Sequence, residues 1–236
     1  MSRARGAGGP RRELVYGRRP VDEAARGRRR VLRVWTTDDL PASELTRLAG
    51  SPDHQGVVAE VEPYPYVEAT ALLESPDALV VALDQVTDPH NLGAVCRSAE
   101  AAGAAGVVIP VRRSAAVTAV VCKSSAGAVE HLPVAQVPNL ADWLAVAKGA
   151  GAWVYGAEAG APATYSDADL SGKVVLVLGS EGRGLRRRVA DGCDLLVSIP
   201  ARGRIGSLNV SAAAAVLLFE AVRQRSGGAG AGRPRR

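Results

Sequence analysis

The sequence predicts an α/β protein in which a mostly parallel sheet, covered by helices on both faces, follows a smaller α/β module. Three observations carry this. From residue 79 onward, short apolar runs rich in Val, Leu and Ile alternate with helix-period segments, as successive βα units require. Before residue 62 two short helical stretches and two strands make a small α/β module, and residues 56–62 alternate in the period-2 manner of a half-exposed strand. Between the two regions, EPYPYVEATALLESPD carries prolines at 63, 65 and 76 around one short helical stretch, which marks residues 63–78 as a linker.

Residues 1–12 and 226–236 are mostly Gly, Arg and Pro with little to bury, and are expected as disordered basic tails. Within a small domain over residues 13–62, helices are expected at 20–26 and 42–49 and strands at 31–36 and 56–62. A second domain, residues 79–225, opens with the apolar strand 79–83. Asp88 and Pro89 then signal the start of a helix over 91–102. A strand at 107–109, a helix at 115–124, a strand at 134–137 and a helix at 140–147 continue the alternation. Strands at 153–155, 174–178 and 195–199 follow, and a helix from about 208 to 224 closes the chain. Residues 212–219 are apolar without interruption, so that helix is expected to be covered on several sides, by the core or by a second subunit.

At 236 residues and 47% hydrophobic, the chain has a globular composition. Its longest apolar run, eight residues, falls far short of the roughly 20 that cross a bilayer, so no membrane partner is expected. The Arg-rich N-terminus has no apolar stretch after its charges, unlike a secretory signal, and the expected location is the cytoplasm. Cys96, Cys122 and Cys193 are widely spaced and read as reduced structural thiols; His54, His90 and His131 stand apart, and no metal-ligand spacing is visible. The net charge of +5 hides an uneven distribution: +8 over residues 1–33, −10 over 34–110 and +7 over 111–236. All but Lys123, Lys148 and Lys173 of the cations are arginines, whose planar fork matches phosphate, so a polyanionic partner is plausible.

Three segments carry more polar and glycine residues than packing requires. DPHNLGAVCRSAEAAG (88–103) follows a strand and places Gly93 and Arg97 on one helix face, which leaves room beside the guanidinium. A glycine there costs about 1 kcal/mol against alanine. The bland alternative is that Arg97 pairs with Glu100 on the surface. VVLVLGSEGRGL (174–185) runs a strand into three glycines around Glu181, at the strand end where open α/β sheets bind ligands. No Gly-Lys-Ser/Thr and no Gly-x-Gly-x-x-Gly is present, which disfavours a nucleoside triphosphate or dinucleotide site. LLVSIPARGRIGSLNVSAAAAVLLFE (195–220) places Ser207, Asn209 and Ser211 before the apolar helix, where one cap needs only one of them.

In this order and spacing, the three segments resemble the motifs of the SpoU family of RNA 2′-O-methyltransferases, also called the TrmH family. NLGAVCRSAEAAG (91–103) is similar to its first motif, LGSEGRGL (178–185) to its second and IPARGRIGSLNVSAAAAVLLFE (199–220) to its third; with KSSAGAVEHLPV (123–134) the likeness covers most of residues 79–225. ELVYGRRPVDEAARG (13–27) and HQGVVAEV (54–61) resemble, more particularly, the branch that methylates a guanosine ribose in 23S ribosomal RNA. The resemblance implies a trefoil-knotted, mostly parallel-sheet methyltransferase domain, a small α/β RNA-binding domain before it, S-adenosylmethionine as cofactor and a homodimer acting on 23S ribosomal RNA or another structured RNA. It implies cofactor contacts at Leu178, Gly179, Ser180, Gly184, Ile199, Pro200 and Leu208. It puts Asn91, Arg97, Glu181, Ser207 and Asn209 at catalytic or substrate positions, the family having assigned proton acceptance to the arginine at position 97. An ordinary guanidinium offers no acceptor, so binding of an RNA phosphate and of the developing alkoxide is the expected role of Arg97. Ala201 stands where relatives often have Met, and the N-terminal module is short for that branch. Transfer RNA, another ribosomal site, or an assembly factor without turnover stay open as alternatives.

Overall fold

The Val- and Leu-rich segment LVVALD forms β4 (Leu79–Asp84), buried along its whole length in a seven-stranded sheet. The computed structural model describes residues 12–204 and 206–228, so most of both expected tails lies outside the described residues. The sheet is completed by β5 (Gly106–Pro110), β6 (Val134–Val137), β7 (Trp153–Ala157), β8 (Ala163–Thr164), β9 (Val174–Gly179) and β10 (Leu195–Ser198). Its order is β6-β5-β4-β9-β7-β10-β8, and every pairing is parallel. Alternate side chains point to opposite faces. Leu79, Val81 and Leu83 pack with α3 (Pro89–Ala101), α4 (Ala119–Ser124) and α7 (Val210–Gly228). Val80 and Ala82 pack against α5 (Leu140–Gly149), with Val189 of the short α6 (Arg187–Ala190) joining that side.

The N-terminal module is an antiparallel sheet of β1 (Glu13–Tyr16), β2 (Val31–Thr36) and β3 (Val57–Val61) in the order β1-β3-β2, with α1 (Arg18–Arg26) and α2 (Ala42–Ala49). Val15, Val21 and Ala24 join the larger domain's own apolar cluster, so the module shares its core along a seam with α4 and the 3₁₀ turn Ala128–Glu130. Arg29 locks that seam. Its guanidinium donates to both Glu130 carboxylate oxygens, at 2.9 and 2.7 Å, to Glu13 at 2.8 Å and to Cys122 Sγ at 3.1 Å. Burial alone would lower the Arg29 pKa; the Glu130 hydrogen bond and the surrounding negative charge override it and raise it. The segment expected as a linker is built into the fold: Tyr64 Oη donates toward the carbonyls of Val129 and Leu132, Val67 bridges to Ala135, and Leu72 and Leu73 are buried.

Some elements differ from the sequence expectation. α4 starts at Ala119, not at 115, because Ala115 N–H donates to the Val86 carbonyl and Val117 N–H to Tyr66 Oη, which holds that stretch out of the helix. α7 starts two residues late and continues through Ser226, expected as the first tail residue, to Gly228. β1, β8 and α6 have no counterpart among the expected elements. The histidines serve locally: Gly56 N–H donates to His54 Nδ1, and His131 Nε2 lies 2.8 Å from Glu23 at the seam.

Candidate active site

In a parallel sheet all strands end at one edge, and here β4, β9, β7 and β10 bring their carboxyl ends together. β9 ends at Gly179, where a Cβ would lie 2.1 Å from the backbone carbon of Gly184. Only glycine allows that approach, and it lets Gly184 N–H donate to the Ser180 carbonyl at 3.0 Å, closing a tight loop through Gly182 and Gly184, both at positive φ. Asp84, the wholly buried last residue of β4, fastens the far end of the loop. Its carboxylate accepts from Arg186 N–H at 2.8 Å and from Arg186 Nε at 2.7 Å, with Nη2 also at 2.7 Å.

Beside this loop lies a cavity of about 770 Å³, within the roughly 300–1,000 Å³ of small-molecule sites. One wall is Leu178, Gly179, Ser180, Glu181 and Gly184; the opposite wall is Ile199, Pro200, Ser207, Leu208 and Asn209. All seven residues expected at the cofactor therefore line one cavity. Leu208 is 48% exposed, a large apolar side chain turned to open space at its wall. Ala201 lines it too.

At the rim, three expected site residues from three segments are bonded to each other. Asn91, in the first turn of α3, donates through Nδ2 to Glu181 Oε1 at 3.0 Å. Asn209 Nδ2 donates to Asn91 Oδ1 at 3.0 Å and to the same Glu181 oxygen. The amide orientation follows from the chain: Asn209 Oδ1 accepts the Ser211 backbone N–H at 2.8 Å, which can only donate, so Nδ2 must face Glu181. Asn209 thus caps α7 and ties Glu181 at once; capping and function are not alternatives for it. Ser207 lines the cavity. Arg97 is exposed on α3 outside the cavity wall, with no ion pair or hydrogen bond to Glu100 or another described residue. The room expected beside it at Gly93 is filled instead: a Cβ there would lie 1.9 Å from Ser124 Oγ, so that glycine seats α4 against α3.

Two parts of the site had no motif to reveal them. Ala157, Glu158 and Ala159 form a third wall at the end of β7, placed there because β7 lies between β9 and β10 although it precedes both in the chain. Asp84 reads in the sequence as the polar end of an apolar strand, a signal whose meaning appears only with Arg186 beside it.

A model described as the SpoU rRNA Methylase family matches residues 78–219. The chain is 39% identical over 241 residues to an uncharacterized tRNA/rRNA methyltransferase of Synechocystis, covering 90% of this chain and 63% of that protein's length. It is 36% identical over 241 residues to the putative TrmH family tRNA/rRNA methyltransferase YacO of Bacillus subtilis, covering 91% and 96%. Among solved structures, the SpoU methyltransferase AviRb from Streptomyces viridochromogenes in complex with AdoMet superposes with a TM-score of 0.77 at 32% identity, covering 92% of each chain. The matched residues include every strand of the parallel sheet and both walls of the cavity, and the chain belongs to the SpoU rRNA methylase family.

Proposed function

We propose that the protein transfers a methyl group from S-adenosylmethionine to a ribose 2′-hydroxyl of RNA, with a guanosine of 23S ribosomal RNA as the target. The observation that carries this reading is the cavity itself, which opens directly beside the Asn91–Glu181–Asn209 network. Its walls fit the cofactor: Leu178, Ile199 and Leu208 offer apolar faces to an adenine, glycine backbone offers close polar contacts, and Glu158 offers a carboxylate to hydroxyl or ammonium groups. When bound there, S-adenosylmethionine supplies an electrophilic methyl group on a sulfonium whose departure leaves a neutral thioether.

This chain's residues then have to place a hydroxyl and ease loss of its proton. Arg97, uncommitted to any described residue, keeps its N–H donors for an RNA phosphate and for charge developing on the 2′-oxygen. Glu181, fixed by two amide donors, holds the loop and orients the ribose. Ser207 stands beside Leu208 to donate to the substrate. The trefoil threading, a cytoplasmic location and a homodimer belong to the same reading. Support for the dimer comes from exposed apolar side chains: Trp153, stacked on Tyr155, Leu195 in register with Tyr155, and Phe219 on α7.

The test is methyl transfer from labelled S-adenosylmethionine to ribosomal RNA lacking the modification, with transfer RNA alongside and the product mapped for 2′-O-methylribose. Label on one 23S guanosine is the expected result. Label on transfer RNA alone moves the target and keeps the chemistry; no label despite cofactor binding overturns the enzymatic reading in favour of an assembly factor.

A further inference from the structure

A second cleft lies at the seam, away from the cofactor cavity. It has a volume of about 380 Å³ and is lined by Arg18, Arg19, Pro20, Gln55, Lys123 and Ala126. Three of these six carry positive charge, two from the N-terminal module and one from α4, and among the described residues none of the three has a carboxylate oxygen within 4 Å. The α1 N-terminus is not what makes the cleft basic, because Arg18 N–H already donates to Gln55 Oε1 at 3.1 Å. The side-chain cations do.

Lys123 shows that this convergence is built in. Its ammonium lies where a side chain at Gly17 would start: a Cβ there would be 2.6 Å from Nζ. Gly17 has φ 93°, which also favours glycine, so backbone and space together reserve the place for the lysine. Two of the three uncharged lining residues, Gln55 and Ala126, hold positive φ of 54° and 53°, an uncommon conformation for non-glycine residues. Three cations that line one cleft without a carboxylate beside them favour an anion among them, and the oxygens of a phosphate can accept from ammonium and guanidinium donors alike.

α4 connects the cleft to the site. Lys123 precedes Ser124, the residue that fills the space over Gly93, and Gly93 lies one turn before Arg97 on α3. From these observations we infer that the Arg18–Arg19–Lys123 cleft binds a backbone phosphate of the substrate RNA, holding the strand at the seam while Arg97 holds it at the reacting ribose. This inference rests on the proposed action on RNA.

The test compares the full chain with an Arg18→Gln/Arg19→Gln/Lys123→Gln variant, using unmodified 23S ribosomal RNA and unmodified transfer RNA as probes. RNA affinity is measured from about 50 to 200 mM salt, together with methyl-transfer kinetics and cofactor affinity. The expected outcome is a slope of log affinity against log salt shallower by about 1 to 2, because one or two fewer phosphates are neutralised. KM for RNA rises roughly tenfold, while kcat and cofactor affinity stay within about twofold, the pattern of lost uniform binding. Lys123→Arg alone, which keeps all three charges, leaves the slope near that of the native chain. An unchanged slope and KM in the triple variant, or no RNA binding by the native chain, overturns the inference. Loss of slope in a protein that methylates neither RNA supports the cleft and sinks the proposed function; methylation at unchanged KM does the reverse.

Discussion

Two polar networks in this molecule each tie together segments far apart in sequence, and they differ in what they leave unused. At the seam, the Arg29 and Glu130 side chains are 2% and 1% exposed, and the Arg29 guanidinium donates to Glu130, Glu13, Cys122 and the Glu62 carbonyl. At the carboxyl edge of the sheet, Asn91, Glu181 and Asn209 likewise join a carboxylate to nitrogen donors, yet Glu181 and Asn209 are exposed and Arg97, on the same helix as Asn91, has no partner among the described residues. The first network has its Arg29 donors all taken and its Arg29–Glu130 centre buried, so it can only hold the fold together. The second is wet and unsaturated, so it can exchange water for substrate. Spare donors beside a cavity, rather than the kinds of residue involved, separate the site from the scaffold.

The sharpest way to break this contrast is to remove one carboxylate from each network. Glu130→Ala strands a buried guanidinium and is expected to cost about 3–5 kcal/mol in denaturant unfolding. Glu181→Ala is expected to cost about 1 kcal/mol or less while methyl transfer falls steeply. Equal losses of stability would erase the distinction. Arg97→Lys keeps the charge but loses the fork, and kcat/KM is expected to drop roughly 100-fold with cofactor affinity unchanged. Near-normal turnover would mean that fork geometry does not matter. Asp84→Asn weakens the fastening of the loop after β9; with the proposed cofactor site there, calorimetry should read a loss of about 1–2 kcal/mol in S-adenosylmethionine binding, the worth of one charge-assisted hydrogen bond. Unchanged affinity would show that the glycine turn holds itself.

The smallest effect is a probe of the seam. Burial pushes the Cys122 thiol up to about 12 against the opposing pull of Arg29, and burial pushes Cys96 and Cys193 up to about 12 as well. A raised thiol pKa keeps the unreactive protonated form dominant well above neutrality. At pH 8 the native protein should therefore label only slowly with a thiol reagent, and Glu130→Gln should speed labelling at Cys122 but not at Cys96. Equal acceleration at both would indicate global unfolding rather than a loosened seam.

The buried strands were the legible part of the fold, because runs such as VVLVL declare themselves through apolar content alone. β1 did not, since four residues beside an Arg-rich stretch show no period until β3, far along the chain, pairs with them. β8 and α6 are too short to carry a period. The proline-rich segment looks like a spacer because its anchors are distant in sequence: the carbonyls that Tyr64 Oη reaches and the bridge partner of Val67 lie beyond residue 128, and Glu13, which accepts from Tyr64 N–H, lies 51 residues before it. In the site, Glu181 stands out among glycines, and Asn209 as one of three polar residues ahead of an apolar helix. Gly93 is misleading in the sequence: its empty side is occupied by Ser124, which no local pattern announces. Local chemistry was readable; contacts made by strand order were not.

The place of β9 has a consequence for synthesis. Leu79 pairs with Val174 and Trp153 pairs with the same residue, so the middle of the sheet is a strand made after both of its neighbours. A nascent chain that has already emitted β4 to β7 carries one unpaired edge on β4 and two on β7, with no partner for any of them. Such edges are templates for pairing with other chains, and long-range parallel pairing is slow to form. Until β9 leaves the ribosome the half-built domain is exposed to aggregation, and any truncation before residue 174 should yield a chain that depends on chaperones to stay in solution.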